Sequence, residues 1–171
     1  AQPPEAIAVP DVEQFRRYQD AACGLIRYIT LAPEHDEGFA LTKYCRSTGV
    51  VVSMGHSGAG YEQALFAVAN GVTSMTHVYN GMTAYHHREP GLVGAAFRLR
   101  GIYGEVICDG CHSHPAALNN FFQMKGKDHA VMITDSLCAK HCAPGGTWQL
   151  GGHEIEIGAD GLERLKGTDT I

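Results

Sequence analysis

The amino-acid sequence predicts an α/β chain: about five parallel strands with their helices, followed by a short antiparallel segment. Three observations carry this. Helix-stopping glycines recur at Gly24, Gly49 and Gly71, 25 and 22 residues apart, about the length of one strand-plus-helix unit. Each is followed by a short apolar, β-branched run of the kind that fills a parallel sheet. After Pro144 the pattern changes to apolar/polar alternation around Gly-Gly and Asp-Gly turns, the signature of antiparallel hairpins.

The elements follow in order. Residues 10 to 24 predict a helix with Asp11 as N-cap and Gln14 completing a capping box, and with Val12, Phe15 and Tyr18 or Ala22 on one face. LIRYITL, 25 to 31, reads as a buried strand. Residues 37 to 48 form a second helix and VVVSM, 50 to 54, a second strand. Residues 60 to 70 and 72 to 78 repeat the pattern. A helix start is expected after His86-His87-Arg88-Glu89-Pro90-Gly91, then a strand at 102 to 108, a helix near Pro115 to Lys125 and a fifth strand at 129 to 134. The antiparallel segment that follows reads as a separate subdomain, which sets the domains at 1–145 and 146–171.

Composition narrows the partners. Thirteen basic against 18 acidic residues leave a net charge of −5, which gives no electrostatic reason to expect nucleic acid or an anionic membrane surface. The hydrophobic fraction of 44% argues against disorder. No apolar run approaches the roughly 20 residues that span a bilayer, and AQPPEAIAVP has neither the basic nor the apolar region of a signal peptide. The expectation is a cytoplasmic protein with reduced thiols. Ten His and six Cys make metal or acid–base chemistry the first thing to look for.

The polar residues fall where the strands end. VVSM runs into His56, TSMT into His77, EVIC into Asp109 and His112, and VMIT into Asp135. The carboxyl edge of a parallel sheet is where α/β proteins build their sites. His56 and His77 stand one strand–helix unit apart, so their strands are expected to be neighbours about 4.8 Å apart. Two imidazoles at matching heights can reach one divalent ion at about 2.0–2.1 Å, and Asp135 is then expected to move a proton to or from water. The competing account is an α/β scaffold with a polar rim. Arg88 reads either as an anion site or as a solvated loop beside Glu89. Cys108 and Cys111 with Cys138 and Cys142 invite a four-thiolate structural zinc site. Against it, Cys108 completes an apolar strand, where it is expected as a buried thiol.

At TLAPE, GHSGAGYEQAL, THVYNGM, HHREPGLVGAA, DGCHSHP and TDS the sequence resembles the N-acetylglucosamine-6-phosphate deacetylases, a family of metal-dependent amidohydrolases, over essentially its whole length. The resemblance implies a partial (β/α)8 TIM-like barrel followed by part of a small β-sandwich. It implies hydrolysis of the acetamide of N-acetylglucosamine 6-phosphate to glucosamine 6-phosphate and acetate, with a divalent metal, zinc, as cofactor. By position His56 and His77 match the family's metal-binding histidines and Asp135 its catalytic aspartate. Asn80, Gly81, Arg88 and His112 match sugar-phosphate positions, with Asp109 beside them. Gln2 stands where many members carry a carbonyl-polarising His; an amide donates a hydrogen bond but carries no charge.

The departures are specific. Gly58, Ala59 and Gly60 replace larger family residues after Ser57, and Ser136 replaces an Ala. The family's acidic metal ligand belongs to an HLEGPF-like motif that is missing here and is expected ahead of Ala1. Glu34 belongs to a different motif and is expected to cap a strand or helix. The resemblance therefore implies a fragment, with a homodimer for the full-length protein and a small sugar phosphate as its partner. The alternatives are another amidohydrolase, or an inactive fragment or binding module on the same scaffold.

Overall fold

The computed structural model describes residues 4 to 168, which divide into two compact units. One is Val9–Thr134. The other comprises the described residues up to Ala8 together with those from Asp135 onward. The chemical pattern changes near 145, yet the unit boundary lies at Asp135. The reason is packing: Ala139 is buried with Ile155 and Ile157, so the segment after Asp135 belongs with the hairpins.

The first unit is a parallel five-stranded sheet in sequential order, β1 (Tyr28–Leu31), β2 (Val51–Met54), β3 (Ser74–Met75), β4 (Tyr103–Ile107) and β5 (Ala130–Ile133). Strands in sequential order joined by helices form the arc of a (β/α)8 barrel. The helices are α1 (Val12–Ala21), α2 (Ala40–Ser47), α3 (Tyr61–Asn70), α4 (Gly91–Arg98) and α5 (Pro115–Lys125). Asp11 caps α1, accepting from the Gln14 amide at 2.6 Å. The reciprocal half of the expected capping box does not form, because the Gln14 side chain donates to the Tyr18 hydroxyl one turn on. That keeps Tyr18 on the solvent side, while Phe15 buries. Buried Asp36 caps α2, accepting from the Leu41 and Thr42 amides.

One core joins sheet and helices. Val52, Met54, Met75 and Val106 meet Phe15, Leu41, Cys45, Ala64, Leu92 and Phe121. Burial pushes the Cys45 thiol up to about 11, which leaves it protonated and inert. The opposite face of the sheet is hydroxylic: Thr30 and Ser53 both bond Thr76, and the Tyr28 hydroxyl donates to Glu105 while lying within hydrogen-bond distance of the Ser74 hydroxyl. Gly55 permits this approach, since a Cβ there would lie 2.7 Å from the Thr76 Cβ.

Two strand expectations need correction. β1 is not buried on both faces: among the described residues Tyr28 and Thr30 are exposed and Leu31 is covered. β3 is two residues long rather than seven, and on its C-terminal side the backbone turns into the left-handed region at His77. In the second unit β6 (Thr147–Leu150), β7 (His153–Ile157) and β8 (Glu163–Leu165) pair antiparallel. Gly151 and Gly152, both at positive φ, make the two-residue turn that matches strand twist. Among the described residues no helix is long and apolar enough to cross a membrane.

Candidate active site

The parallel register sets the heights of the two histidines. Met54 pairs with Met75, and His56 and His77 each lie two residues beyond. Their Nε2 atoms come within 2.9 Å, with the rings 4.6 Å apart between centroids and nearly perpendicular. Two nitrogens about 2.0–2.1 Å from a shared ion stand about 2.9–3.4 Å apart for ordinary ligand angles. The pair therefore has the spacing of two ligands to one cation. His77 is buried, and its Nδ1 has no hydrogen-bond partner. Among the described residues no group of three or more His, Cys, Asp or Glu side chains is arranged to hold a metal.

His56, His77 and Asp135 share an uncommon backbone. Their φ angles are 48°, 34° and 48°, in a region that non-glycine residues enter rarely and that clusters at functional sites. Sequence pattern carries no signal of it. Asp135 is the residue after Thr134, beyond the end of β5, and opens the second unit.

The loops beside the histidines are tied together. The Ser57 amide donates to the Gly81 carbonyl, and Thr83 Oγ1 donates to the Ala59 carbonyl. The Asn80 amide and side chain both face the His77 carbonyl. Gly81 sits at φ 54°, where a Cβ would come within 3.2 Å of His56 Nδ1. From the β1 end, Glu34 accepts from Ser57 Oγ and from the Gly58 amide, each at 2.6 Å. The expected capping residue is thus a brace between two strand-end loops.

After β4, Asp109 and His112 form a dyad. Asp109 Oδ1 accepts from the Cys111 and His112 amides, and Oδ2 lies 2.6 Å from His112 Nδ1. Partial burial pushes the Asp109 carboxyl up, but these hydrogen bonds outweigh it and hold it below the usual range. The dyad leaves Nε2 as the ring nitrogen of His112 that Asp109 does not hold. Arg88 is exposed, with Nη1 2.9 Å from His87 Nε2. Cys108 is exposed rather than buried, because β4 ends at Ile107 and the thiol falls in the loop beyond it. All six cysteines are free. Gln2 lies outside the described residues.

Fold and strand ends together define a class: a segment of a (β/α)8 barrel carrying a histidine pair at the carboxyl rim. The chain is 41% identical over 157 residues to the N-acetylglucosamine-6-phosphate deacetylase of Bacillus subtilis, which covers 92% of this chain and 39% of that protein. It is 38% identical to that of Lysinibacillus sphaericus, covering 98% and 43%. It is 34% identical to an N-acetylgalactosamine-6-phosphate deacetylase of Escherichia coli, covering 92% and 41%. The N-acetyl-D-glucosamine-6-phosphate deacetylase of Mycobacterium smegmatis, solved in complex with N-acetyl-D-glucosamine-6-phosphate, superimposes with a TM-score of 0.92 at 34% identity. That likeness covers 99% of this chain and 44% of its own. No protein-family model matches. More particularly, then, the chain is a homologue of the N-acetylglucosamine-6-phosphate deacetylases, aligned with under half of their length.

Proposed function

We propose that this chain is part of an amide hydrolase that converts N-acetylglucosamine 6-phosphate to glucosamine 6-phosphate and acetate. The observation that carries the reading is the convergence of His56 and His77 Nε2 at 2.9 Å, in a chain whose relatives deacetylate amino-sugar phosphates. The two histidines suit a divalent ion, and imidazole donors are compatible with zinc, the ion this reading assigns. When bound, such an ion lowers the pKa of water toward neutrality and polarises the amide carbonyl.

The chain's own residues do the rest. Asp135 accepts the proton of the attacking water and returns it to the departing amine, without which the amine is a very poor leaving group. His112, with Nδ1 held by Asp109, turns Nε2 toward the sugar. Asn80 and Gly81 line the sugar side of the histidine pair. Arg88 pairs with the phosphate, which holds the amide in register. The reading includes Gln2 as a hydrogen-bond donor to the substrate, and a cytoplasmic protein that is homodimeric at full length.

Acetate release from N-acetylglucosamine 6-phosphate tests this, measured on the protein with whatever flanking sequence its gene encodes, with and without a chelator. The expected result is chelator-sensitive release that falls about 10²–10⁴-fold in Asp135→Asn and is lost in His56→Ala with His77→Ala. Undiminished release in Asp135→Asn overturns the mechanism. Turnover of other amides alone supports a different amidohydrolase, and sugar-phosphate binding without turnover supports a binding module.

A further inference from the structure

We infer that Glu34 is a positioning residue: by gripping Ser57 Oγ and the Gly58 amide, its carboxylate holds His56 in the left-handed turn where its Nε2 meets that of His77. The inference rests on the reading of the histidine pair as cation ligands. It concerns a residue whose motif has no role in the proposed reaction.

The geometry is a two-pronged clamp. Glu34 Oε2 accepts from Ser57 Oγ and Oε1 from the Gly58 amide, each at 2.6 Å. These donors are the two residues directly after His56. A non-glycine side chain at φ 48° is disfavoured relative to the right-handed region, so a loop left to itself would relax. What opposes relaxation is a pair of charge-assisted hydrogen bonds, which are stronger than neutral ones. The carboxylate is mostly buried, its side chain 13% exposed, which reduces competition from water. Ser57 is itself buried, and its Oγ accepts from the Ala59 amide. On the far side its amide donates to Gly81. His56 is therefore carried by a turn pinned from the β1 end and the β3 end at once.

Among the described residues no third His, Cys, Asp or Glu side chain joins the pair in a metal-holding group, so Glu34 is placed as a brace and not as a third ligand. A Cβ at Gly58 would lie 3.6 Å from Glu34 Oε1, an ordinary contact. The clamp therefore uses the Gly58 backbone and does not depend on glycine there.

The test uses zinc ion as the probe, its affinity measured by competition with a chromophoric chelator, and circular dichroism as the check of fold. Glu34→Ala is expected to weaken zinc binding about 10- to 100-fold, with Ser57→Ala weakening it less and Glu34→Gln falling between wild type and Glu34→Ala. In a His56→Ala background Glu34→Ala should make no further difference, because Glu34 acts through His56. A second readout needs no metal: the nuclear Overhauser contact between the His56 and His77 rings, present in wild type, should be lost in Glu34→Ala. Zinc affinity in Glu34→Ala within twofold of wild type, or an unchanged ring contact, overturns the inference. A full effect persisting without His56 overturns it too, by making Glu34 a ligand. If wild type binds no zinc, the ligand reading fails and the ring contact alone decides the positioning role.

Discussion

His56, His77 and Gly81 meet through backbone geometry as much as through side-chain chemistry. All three have positive φ, and the two imidazoles meet where the backbone turns two residues beyond the paired Met54 and Met75. Gly81 is the glycine whose conformational freedom this arrangement requires. Gly81→Ala should cost about 1–2 kcal/mol from the left-handed backbone alone. It should also push a methyl group against the His56 ring, where a Cβ would lie 3.2 Å from Nδ1. A lower urea midpoint together with weaker zinc binding is the expected pair of results, and full zinc affinity would show that the ring contact tolerates displacement. The residue types here were legible in the sequence. Their left-handed conformations were not, because φ at a strand end is set by the loops around it.

At the scale of elements, α5 shows how a helix end can serve its neighbour. Its last residue, Lys125, is 4% exposed, and its Nζ donates to the carbonyls of Leu99 and Ile102 at 2.8 Å each. The Leu99 and Ile102 carbonyls belong to the segment that ends α4 and leads into β4, so one ammonium ties three elements together. Burial pushes the group down from 10.5 to about 8. The unfolded chain keeps this proton up to about 10.5, so between pH 8 and 10.5 it binds more protons than the folded chain, and stability rises with pH across that window. Below about pH 8 both states hold the proton and the contribution is constant. Urea midpoints of wild type and Lys125→Met, compared from pH 7 to 11, should show a rise in wild type that the variant lacks. Helix boundaries such as Pro115–Lys125 were readable from caps and glycines, but the burial of a terminal lysine was not.

The larger unit stands on one continuous core, and Phe121 lies at its centre, fully buried. Its ring is held against β4: a Cβ at Gly104 would lie 3.0 Å from the Phe121 ring. Phe121→Ala should cost about 3–5 kcal/mol, a large share of the roughly 5–15 kcal/mol that holds a domain folded. Urea denaturation followed by circular dichroism should show a lower midpoint with little change in slope. A loss below about 1 kcal/mol would mean that the cavity collapses. The hydroxylic face of the sheet departs from the branched apolar filling usual inside such barrels, and it arises from Thr30, Ser53, Ser74 and Thr76 meeting across strands.

The sequence by itself determined the parallel α/β architecture, the glycine-closed helices, the antiparallel hairpins and the candidates His56, His77 and Asp135. It could do so because hydrophobic period, turn chemistry and strand-end polarity are local properties. Only the tertiary structure decided that Glu34 braces the His56 loop, that Asp109 turns its oxygens onto His112 and the neighbouring amides, and that the segment after Asp135 packs with the hairpins. Each of these depends on which loops the register of the sheet brings side by side. Residues 24 apart, such as Glu34 and Gly58, become partners only when their strands align.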